Sequence, residues 1–310
     1  MPSPSRTPLF RLGTRGSPLA LTQARMVRDA LCAAHGWQAD DVEIVTVITT
    51  GDRVQDRALA EIGGKALWTK ELDRALLAGE IDGAVHSMKD VETIRPDTLA
   101  IVAMLPRADV RDRLIGAASL ADIPHGGTIG TSSPRRSAQI LRVRPDVKTV
   151  LFRGNVDTRL AKLAAGDVDA TLLAAAGLDR LGRDDIGSAI PTDVMLPAPA
   201  QGAVGIETRA GDTRAIERIG AIDHEETHCC VLVERALLAA LHADCHSPVA
   251  ALAQIAGDQV TLRAELLSED GSEHVTGEAS GPVADTALAE RLARDLLDRA
   301  PAAVRALFAA

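Results

Sequence analysis

The sequence is poor in aromatic residues, with three Phe, two Trp and no Tyr among 310 residues. Platforms that stack single-stranded nucleic acid need aromatic faces, and general polyanion binders carry net positive charge. This chain has a formal net charge of -9. We therefore expect no nucleic-acid partner. Because 46% of the residues are hydrophobic, we expect substantial cores built from aliphatic side chains.

Long apolar runs and paired cysteines are also missing. No stretch approaches the roughly 20 apolar residues that cross a bilayer, and the first ten residues, MPSPSRTPLF, lack the apolar core of a signal peptide. Four cysteines do not make a disulfide scaffold in a chain of this length. These features predict a cytoplasmic protein that does not contact membranes.

A zinc site could be imagined between residues 228 and 246. The candidate ligands are His228, Cys229, Cys230, His242, Cys245 and His246. Adjacent cysteines in a helix point to different faces, and these residues contain no CxxC pair, so we expect no metal.

One sequence pattern occurs twice. GTRGSPLAL begins at Gly13 and GTSSPRRSAQ begins at Gly130, and each follows a short apolar stretch. Ser17 and Ser133 precede prolines and fit helix N-caps, while Pro18 and Pro134 fit the first helical position. The amides at a helix N-terminus attract anions, and arginines stand at both places. The repetition predicts two similar lobes, each with an anion-binding turn facing a shared cleft.

A second repetition and the order of elements predict the fold. LAGEIDGAVH, from Leu77, parallels AAGDVDATLL, from Ala164, and in each a helix ends near a glycine before a buried strand. Alternating strands and helices predict an α/β fold with mixed sheets in both lobes. After about residue 223, a helix and three strands with turns at Gly257 and Gly271 predict a small α+β domain with an antiparallel sheet. We assign residues 1–105 and 200–222 to the first lobe, 106–199 to the second and 223–310 to the third domain.

Arginines are the main functional signal. They are Arg15, Arg135, Arg136, Arg153, Arg159 and Arg180, each in or after a turn where a strand should end. Ligands of open α/β sheets bind at such ends. Guanidinium groups bind carboxylates through two hydrogen bonds, so this set suits a small ligand with several carboxylates.

Two further segments carry reactive side chains. AVHSMKDV places Lys89 and Asp90 after an apolar strand, where Asp90 either handles a proton and a developing cation or caps a following helix. Both readings remain open on local sequence. Cys245, in the loop ADCHSP, is either a nucleophile or attachment point, or an inert thiol.

Taken together, the motifs resemble the porphobilinogen deaminase (hydroxymethylbilane synthase) family of tetrapyrrole biosynthesis. The resemblance runs from about Leu12 to the C-terminal helix. Its motifs are, in order, TRGSPLAL, GDR, IGGKALWTKELD, AVHSMKDV, GTSSPRRSAQ, RGNVDTRL, LAAAGLDRLG, LPAPAQGAVGIE and CHSPV. It implies two lobes like those of periplasmic solute-binding proteins and a third domain that carries the cofactor.

The resemblance also implies a reaction and a set of site residues. A dipyrromethane cofactor is joined by a thioether to Cys245, and four porphobilinogen molecules are added head to tail with loss of ammonia before water releases the product. Asp90 and Lys89 match the catalytic positions. Cofactor contacts fall on Lys89, Thr131, Ser132, Ser133, Arg135 and Arg136, and substrate contacts on Arg15, Ser17, Arg153, Arg159 and Arg180. A monomer is expected.

The chain departs from the family pattern at the cofactor loop, and a rival function shares the fold. Ala243 and Asp244 replace two common glycines, and Glu92 replaces a common proline. Because Asp tolerates left-handed backbone, we expect the loop to keep its shape. The rival is a non-catalytic two-lobed binding protein for a polycarboxylate, which would be exported and would have no use for a loop cysteine.

Overall fold

The computed structural model describes residues 7–48, 69–283 and 285–308 of the chain. The strands are β1 Phe10–Arg15, β2 Val42–Val47, β3 Gly83–Ser87, β4 Leu99–Met104, β5 Asp112–Ile115, β6 Thr128–Thr131, β7 Lys148–Leu151, β8 Ala170–Ala174, β9 Ser188–Ala189, β10 Val204–Arg209, β11 Val249–Ala256, β12 Gln259–Leu267 and β13 His274–Pro282. The α-helices are α1 Pro18–His35, α2 Lys70–Leu77, α3 Pro134–Val143, α4 Val156–Ala164, α5 Ala175–Arg180, α6 Thr213–Gly220, α7 Glu225–Ala240, α8 Leu288–Arg299 and α9 Ala302–Arg305.

Part of the predicted pattern lies outside these ranges. The motif GDR, and IGGKALWTKELD up to Trp68, fall among residues 49–68. In the described residues, α2 covers Lys70–Leu77. No helix in the described ranges is both long enough and apolar enough to span a membrane.

The chain divides into two compact units, Met1–Arg107 with Ala203–His228, and Ala108–Gly202 with Cys229–Ala310. The first unit contains a mixed five-stranded sheet in the order β2-β1-β3-β10-β4. Strand β1 is parallel to β2 and β3, and β10 is antiparallel to β3 and β4. One face packs on α1 through residues such as Leu12, Val27 and Leu31, and a separate core forms around Leu72 and Leu76 of α2.

The second unit contains a sheet of the same design in the order β7-β6-β8-β5-β9. Strand β6 is parallel to β7 and β8, and β5 is antiparallel to β8. In each unit the strand with two parallel neighbours leads into a helix whose N-cap is a serine followed by proline. The predicted duplication is therefore confirmed, and so is the mixed α/β fold class.

The C-terminal sheet has the order β11-β12-β13 and is antiparallel throughout. Its hairpin turns use Gly257 and Gly271, both with positive φ (+64 and +69). Alternate residues of β12, including Leu262, Ala264 and Leu266, pack with α7 and α8 in one aliphatic core. Because side chains alternate along a strand, Arg263 and Glu265 lie on the opposite face. Glu265 is nevertheless buried, so this face needs polar partners.

Candidate functional site

The turn between β1 and α1 carries Arg15 and Ser17. Ser17 is the N-cap of α1, and its hydroxyl accepts a hydrogen bond from the Ala20 amide at 3.3 Å. Pro18 takes the first helical position, where no amide donor is needed. The predicted cap is therefore confirmed. An 18-residue helix begins here, so the turn also lies at the positive end of a helix dipole.

The end of β3 brings Asp90 next to this turn in the first unit, and Lys89 precedes Asp90 in the same 3₁₀ turn. Met88–Asp90 form one turn of 3₁₀ helix whose N-cap is Ser87, and Asp90 is its last residue. Asp90 thus does not serve as the cap of a following helix, because the chain continues through bends and turns to β4. The amide of Met88 donates to the Ala203 carbonyl at 3.1 Å, which fixes the turn to the segment before β10.

A pocket in the first unit gathers several of the predicted residues. Its lining includes Arg15, Ser17, Gln23, Thr69, His86, Ser87 and Asp90. The two sequence motifs TRGSPLAL and AVHSMKDV, which are about 70 positions apart, thus contribute to one concave site. A cation, a helix N-terminus and a carboxylate meet there.

Gln23 and His86 are pocket residues that the sequence reasoning missed. Gln23 is buried, and its amide nitrogen donates to the Ser87 hydroxyl at 2.9 Å. His86 is also buried, with Nε2 3.2 Å from Oε2 of Glu207. Glu207 could have indicated a buried residue such as His86, because an acidic residue inside the apolar strand AVGIETR needs a buried partner.

A buried charge cluster lies behind the pocket. Arg95 donates to both carboxylate oxygens of Glu207, at 2.8 and 2.9 Å, and also contacts Glu92 and Asp73. Burial raises the pKa of Glu207, but His86 and Arg95 outweigh it and lower the pKa to about 2. Burial likewise raises the pKa of Asp73. Glu92, which replaces the common proline, accepts from the Thr69 hydroxyl at 2.8 Å and so belongs to this cluster.

The corresponding turn of the second unit joins β6 to α3. Ser133 caps α3 by accepting from the Arg136 amide at 3.4 Å, as predicted. Thr131 accepts from the Ser133 amide at 3.2 Å. Ser132 donates to the Phe152 carbonyl at 3.3 Å and accepts from Nη2 of Arg159 at 3.1 Å. The three hydroxyls are therefore held in one rigid turn.

Arg135 and Arg136 share one buried carboxylate. Nη2 of Arg135 lies 2.8 Å from Oδ2 of Asp112, and Nη2 of Arg136 lies 2.6 Å from Oδ1. Gln201 adds a third hydrogen bond at 2.9 Å. Burial raises the pKa of Asp112, but the two guanidinium groups outweigh it and hold the pKa far below its usual range. The sequence identified Arg135 and Arg136 as candidate binding residues, but it did not identify Asp112 as their partner.

Arg153, Arg159 and Arg180 are half-buried in the second unit. Nε of Arg159 donates to the Gly154 carbonyl at 3.0 Å, and Arg180 donates to the Gly202 carbonyl at 2.7 Å. Burial lowers the pKa of Arg159 to about 10, and the charges of Arg136 and Arg153 add to the effect. Burial also lowers the pKa of Arg180. Arg159 thus lies close to two further positive charges, those of Arg136 and Arg153.

Cys245 lies exposed in the loop between α7 and β11. The Asp244 carboxylate accepts from the His246 amide at 2.8 Å, and the Asp244 amide donates to the Ser247 hydroxyl at 3.1 Å. The left-handed residue of this segment is His242, with φ of 51°, and not Asp244. These side-chain hydrogen bonds stabilise the loop in this chain, whereas the glycines common in the family would allow its shape through their backbone freedom.

Within the described ranges, no three His, Cys, Asp or Glu side chains are grouped to hold a metal.

Comparisons with known proteins agree on one family. A family profile described as porphobilinogen deaminase, dipyromethane cofactor binding domain, matches residues 10–217, and the profile of the C-terminal domain of porphobilinogen deaminase matches residues 228–299. The porphobilinogen deaminase of Sphingopyxis alaskensis is 58% identical over 97% of this chain and 96% of its own length. That of Paracoccus denitrificans is 52% identical over 97% of each.

Solved structures show a weaker likeness. The VFT2 domain of BvgS from Bordetella pertussis is 17% identical, with a TM-score of 0.40 over 68% of this chain and 84% of that one. A likeness of this size carries no argument about the chain. The family profiles and the curated relatives do show the family of the chain, because they match nearly its whole length. The chain belongs to the porphobilinogen deaminase family, a family of transferases in tetrapyrrole biosynthesis, and contains that family's dipyrromethane cofactor-binding domain.

Proposed function

We propose that this chain is a hydroxymethylbilane synthase. It joins four porphobilinogen molecules head to tail, with loss of ammonia at each addition, and releases the linear tetrapyrrole by hydrolysis. Beyond family membership, the observation that carries the proposal is the arginine cluster of the second unit. Burial lowers the pKa of Arg159 to about 10, and the like charges of Arg136 and Arg153 add to the effect, so a carboxylate bound at this guanidinium would be stabilised. A pyrrole chain would supply such carboxylates.

The residues present fit a dipyrromethane. The Nε atoms of Arg135 and Arg136, and Nη1 of Arg153, are buried and have no hydrogen-bond partner among the described residues. Such donors are costly to bury unless a ligand accepts from them. We propose that Cys245 holds the cofactor through a thioether, and that Lys89, Thr131, Ser132, Ser133, Arg135 and Arg136 contact it. When bound, the dipyrromethane supplies the pyrrole carbon to which substrate is joined.

Binding of substrate carboxylates falls to the remaining predicted residues. We assign this role to Arg15, Ser17, Arg153, Arg159 and Arg180. Porphobilinogen carries an acetate and a propionate, and planar guanidinium groups match carboxylates through paired hydrogen bonds. Each added pyrrole brings two more carboxylates, which explains why one chain needs several such arginines.

Asp90 is the proposed catalytic carboxylate. Loss of ammonia from porphobilinogen leaves positive charge on the pyrrole nitrogen, and a carboxylate placed in the pocket stabilises that charge as it develops. The same carboxylate could receive the proton that the attacking pyrrole ring carbon loses once the new carbon–carbon bond is formed. Lys89, in the same 3₁₀ turn, is assigned to cofactor contact and to support of this step.

The remaining assignments concern organisation and place. We propose three functional domains, residues 1–105 with 200–222, residues 106–199, and residues 223–310. We also propose a cytoplasmic monomer that binds neither nucleic acid nor membranes. Sedimentation velocity measures whether the chain is a monomer, and cell fractionation measures whether it is cytoplasmic.

Product stoichiometry tests the proposed function. Purified chain is incubated with porphobilinogen, and ammonia and linear tetrapyrrole are measured in the same sample. We expect four ammonia molecules for each tetrapyrrole released. Binding of porphobilinogen without release of ammonia would instead identify a non-catalytic binding protein.

A further inference from the structure

A buried chain of hydrogen bonds links Arg135 to the C-terminal sheet. Nη1 of Arg135 donates to Oε1 of Gln139 at 2.8 Å, and Nε2 of Gln139 donates to Oε2 of Glu265 at 2.8 Å. All three side chains are buried, because Arg135 is 3% exposed, Gln139 0% and Glu265 3%. Arg135 and Gln139 share a face of α3 because they are four residues apart. Glu265 lies on the face of β12 that points away from the C-terminal core.

The chemistry of the two ends fixes the orientation of Gln139. Arg135 can only donate hydrogen bonds, and an ionised Glu265 can only accept them. The carboxamide between them therefore has one orientation that satisfies both, with its oxygen toward Arg135 and its nitrogen toward Glu265. The Leu196 carbonyl accepts from both Arg135 and Gln139, at 2.8 and 3.2 Å, and reinforces this orientation.

Positive and negative side chains alternate along the same chain. Burial lowers the pKa of Arg135, while the charges of Asp112 and Glu265 oppose that effect. At its far end, Glu265 pairs with Arg142, whose Nε lies 3.1 Å from Oε1. Asp112 lies at the near end and binds Arg135 and Arg136 together. A carboxylate of the C-terminal sheet thus contributes to the field around the arginine pair.

We propose that Gln139 and Glu265 are positioning residues, which hold the guanidinium of Arg135, and through Asp112 that of Arg136, in the orientation that binds carboxylates of the pyrrole chain. This inference rests on the proposed function. A long guanidinium side chain has many rotamers, and fixing it before the ligand arrives removes that entropy cost from binding. Neither positioning residue needs to touch the ligand.

A reversed hydrogen bond provides the test. Gln139→Glu places a second carboxylate against Glu265, which disfavours the native arrangement. The double variant Gln139→Glu with Glu265→Gln restores a donor facing an acceptor and keeps the net charge. Thr192→Val is the matched control, because it removes a different hydrogen bond to this sheet, from Nη2 of Arg263 to the Thr192 hydroxyl at 3.1 Å. Each protein is made without adduct, in cells that cannot supply porphobilinogen.

Intact mass then follows adduct formation at several porphobilinogen concentrations, below the unfolding temperature of every variant. We expect the half-saturating concentration to rise about tenfold in Gln139→Glu, to return to within about threefold of wild type in the double variant, and to be unchanged in Thr192→Val. An unchanged value in Gln139→Glu, or a double variant as impaired as the single one, would overturn the positioning role. A wild-type chain that gains no adduct would overturn the proposed function itself.

Discussion

Replacing Glu207 by Gln should destabilise the first unit in a way that depends on pH. The side chain is fully buried, and its carboxylate accepts from Nε and Nη2 of Arg95 and faces His86. Glutamine keeps the shape and removes the charge. Arg95 then loses its most buried counter-ion, although Glu92 and Asp73 remain in contact.

The size of the effect follows from the pKa of Glu207. The ordinary value of 4.5 falls to about 2 because His86 and Arg95 outweigh the burial that raises it. A difference of about 2.5 in pKa, at about 1.4 kcal/mol for each unit, corresponds to about 3 kcal/mol. Because the folded state has the lower pKa, this stabilisation is present above pH 4.5 and is lost as the pH falls toward 2. We therefore expect Glu207→Gln to cost about 3 kcal/mol at pH 7 and progressively less below pH 4.5.

Urea unfolding followed by tryptophan fluorescence measures this cost. Trp37 belongs to the same unit as Glu207 and therefore reports on the unfolding of that unit. Glu217→Gln is the matched control, because Glu217 is exposed on α6 and its loss should change the free energy of unfolding by no more than about 0.5 kcal/mol. A cost for Glu207→Gln that stays constant from pH 7 to pH 3 would refute the electrostatic explanation.

Three further predictions concern the pocket and the cofactor loop. Asp90→Asn should fold normally yet lose most turnover, about a hundredfold or more in kcat, while the exposed control Asp97→Asn keeps it; near-normal kcat in Asp90→Asn would contradict the catalytic role. Cys245→Ala should give protein without bound pyrrole by intact mass, and a retained adduct would mean another attachment residue. Gly205→Ala should lower the free energy of unfolding by about 1–3 kcal/mol and reduce kcat, because the new Cβ would lie 2.1 Å from Sδ of Met88, in the turn that carries Asp90. Urea unfolding and a steady-state assay measure both effects, and wild-type behaviour would show that the turn adjusts freely.

Local chemistry made much of the fold predictable. Ser17 and Ser133 are caps because serine before proline suits a helix start wherever it occurs. The hairpin turns at Gly257 and Gly271 follow from glycine's access to positive φ. The duplicated lobes could be predicted because both copies keep the same strand, turn and helix in the same order.

The partners of the functional side chains were not predictable from local sequence. Asp112 lies 23 positions before Arg135, on a four-residue strand too short to show alternation. Glu265 lies 126 positions after Gln139. Only the folded sheets bring such pairs together, and the sequence signals merely that a buried charge needs a partner somewhere. The same holds for His86, whose partner Glu207 comes from the antiparallel strand β10.

Peptide mapping of the purified chain tests whether Cys245 carries a covalent dipyrromethane. Intact mass gives the size of any covalent group, and digestion locates it on the sequence. We expect an added mass of two linked pyrroles on the peptide that contains Cys245, either as purified or after incubation with porphobilinogen. A chain that gains no such mass under either condition would not be a hydroxymethylbilane synthase, and a mass on another residue would rule out Cys245 as the attachment point.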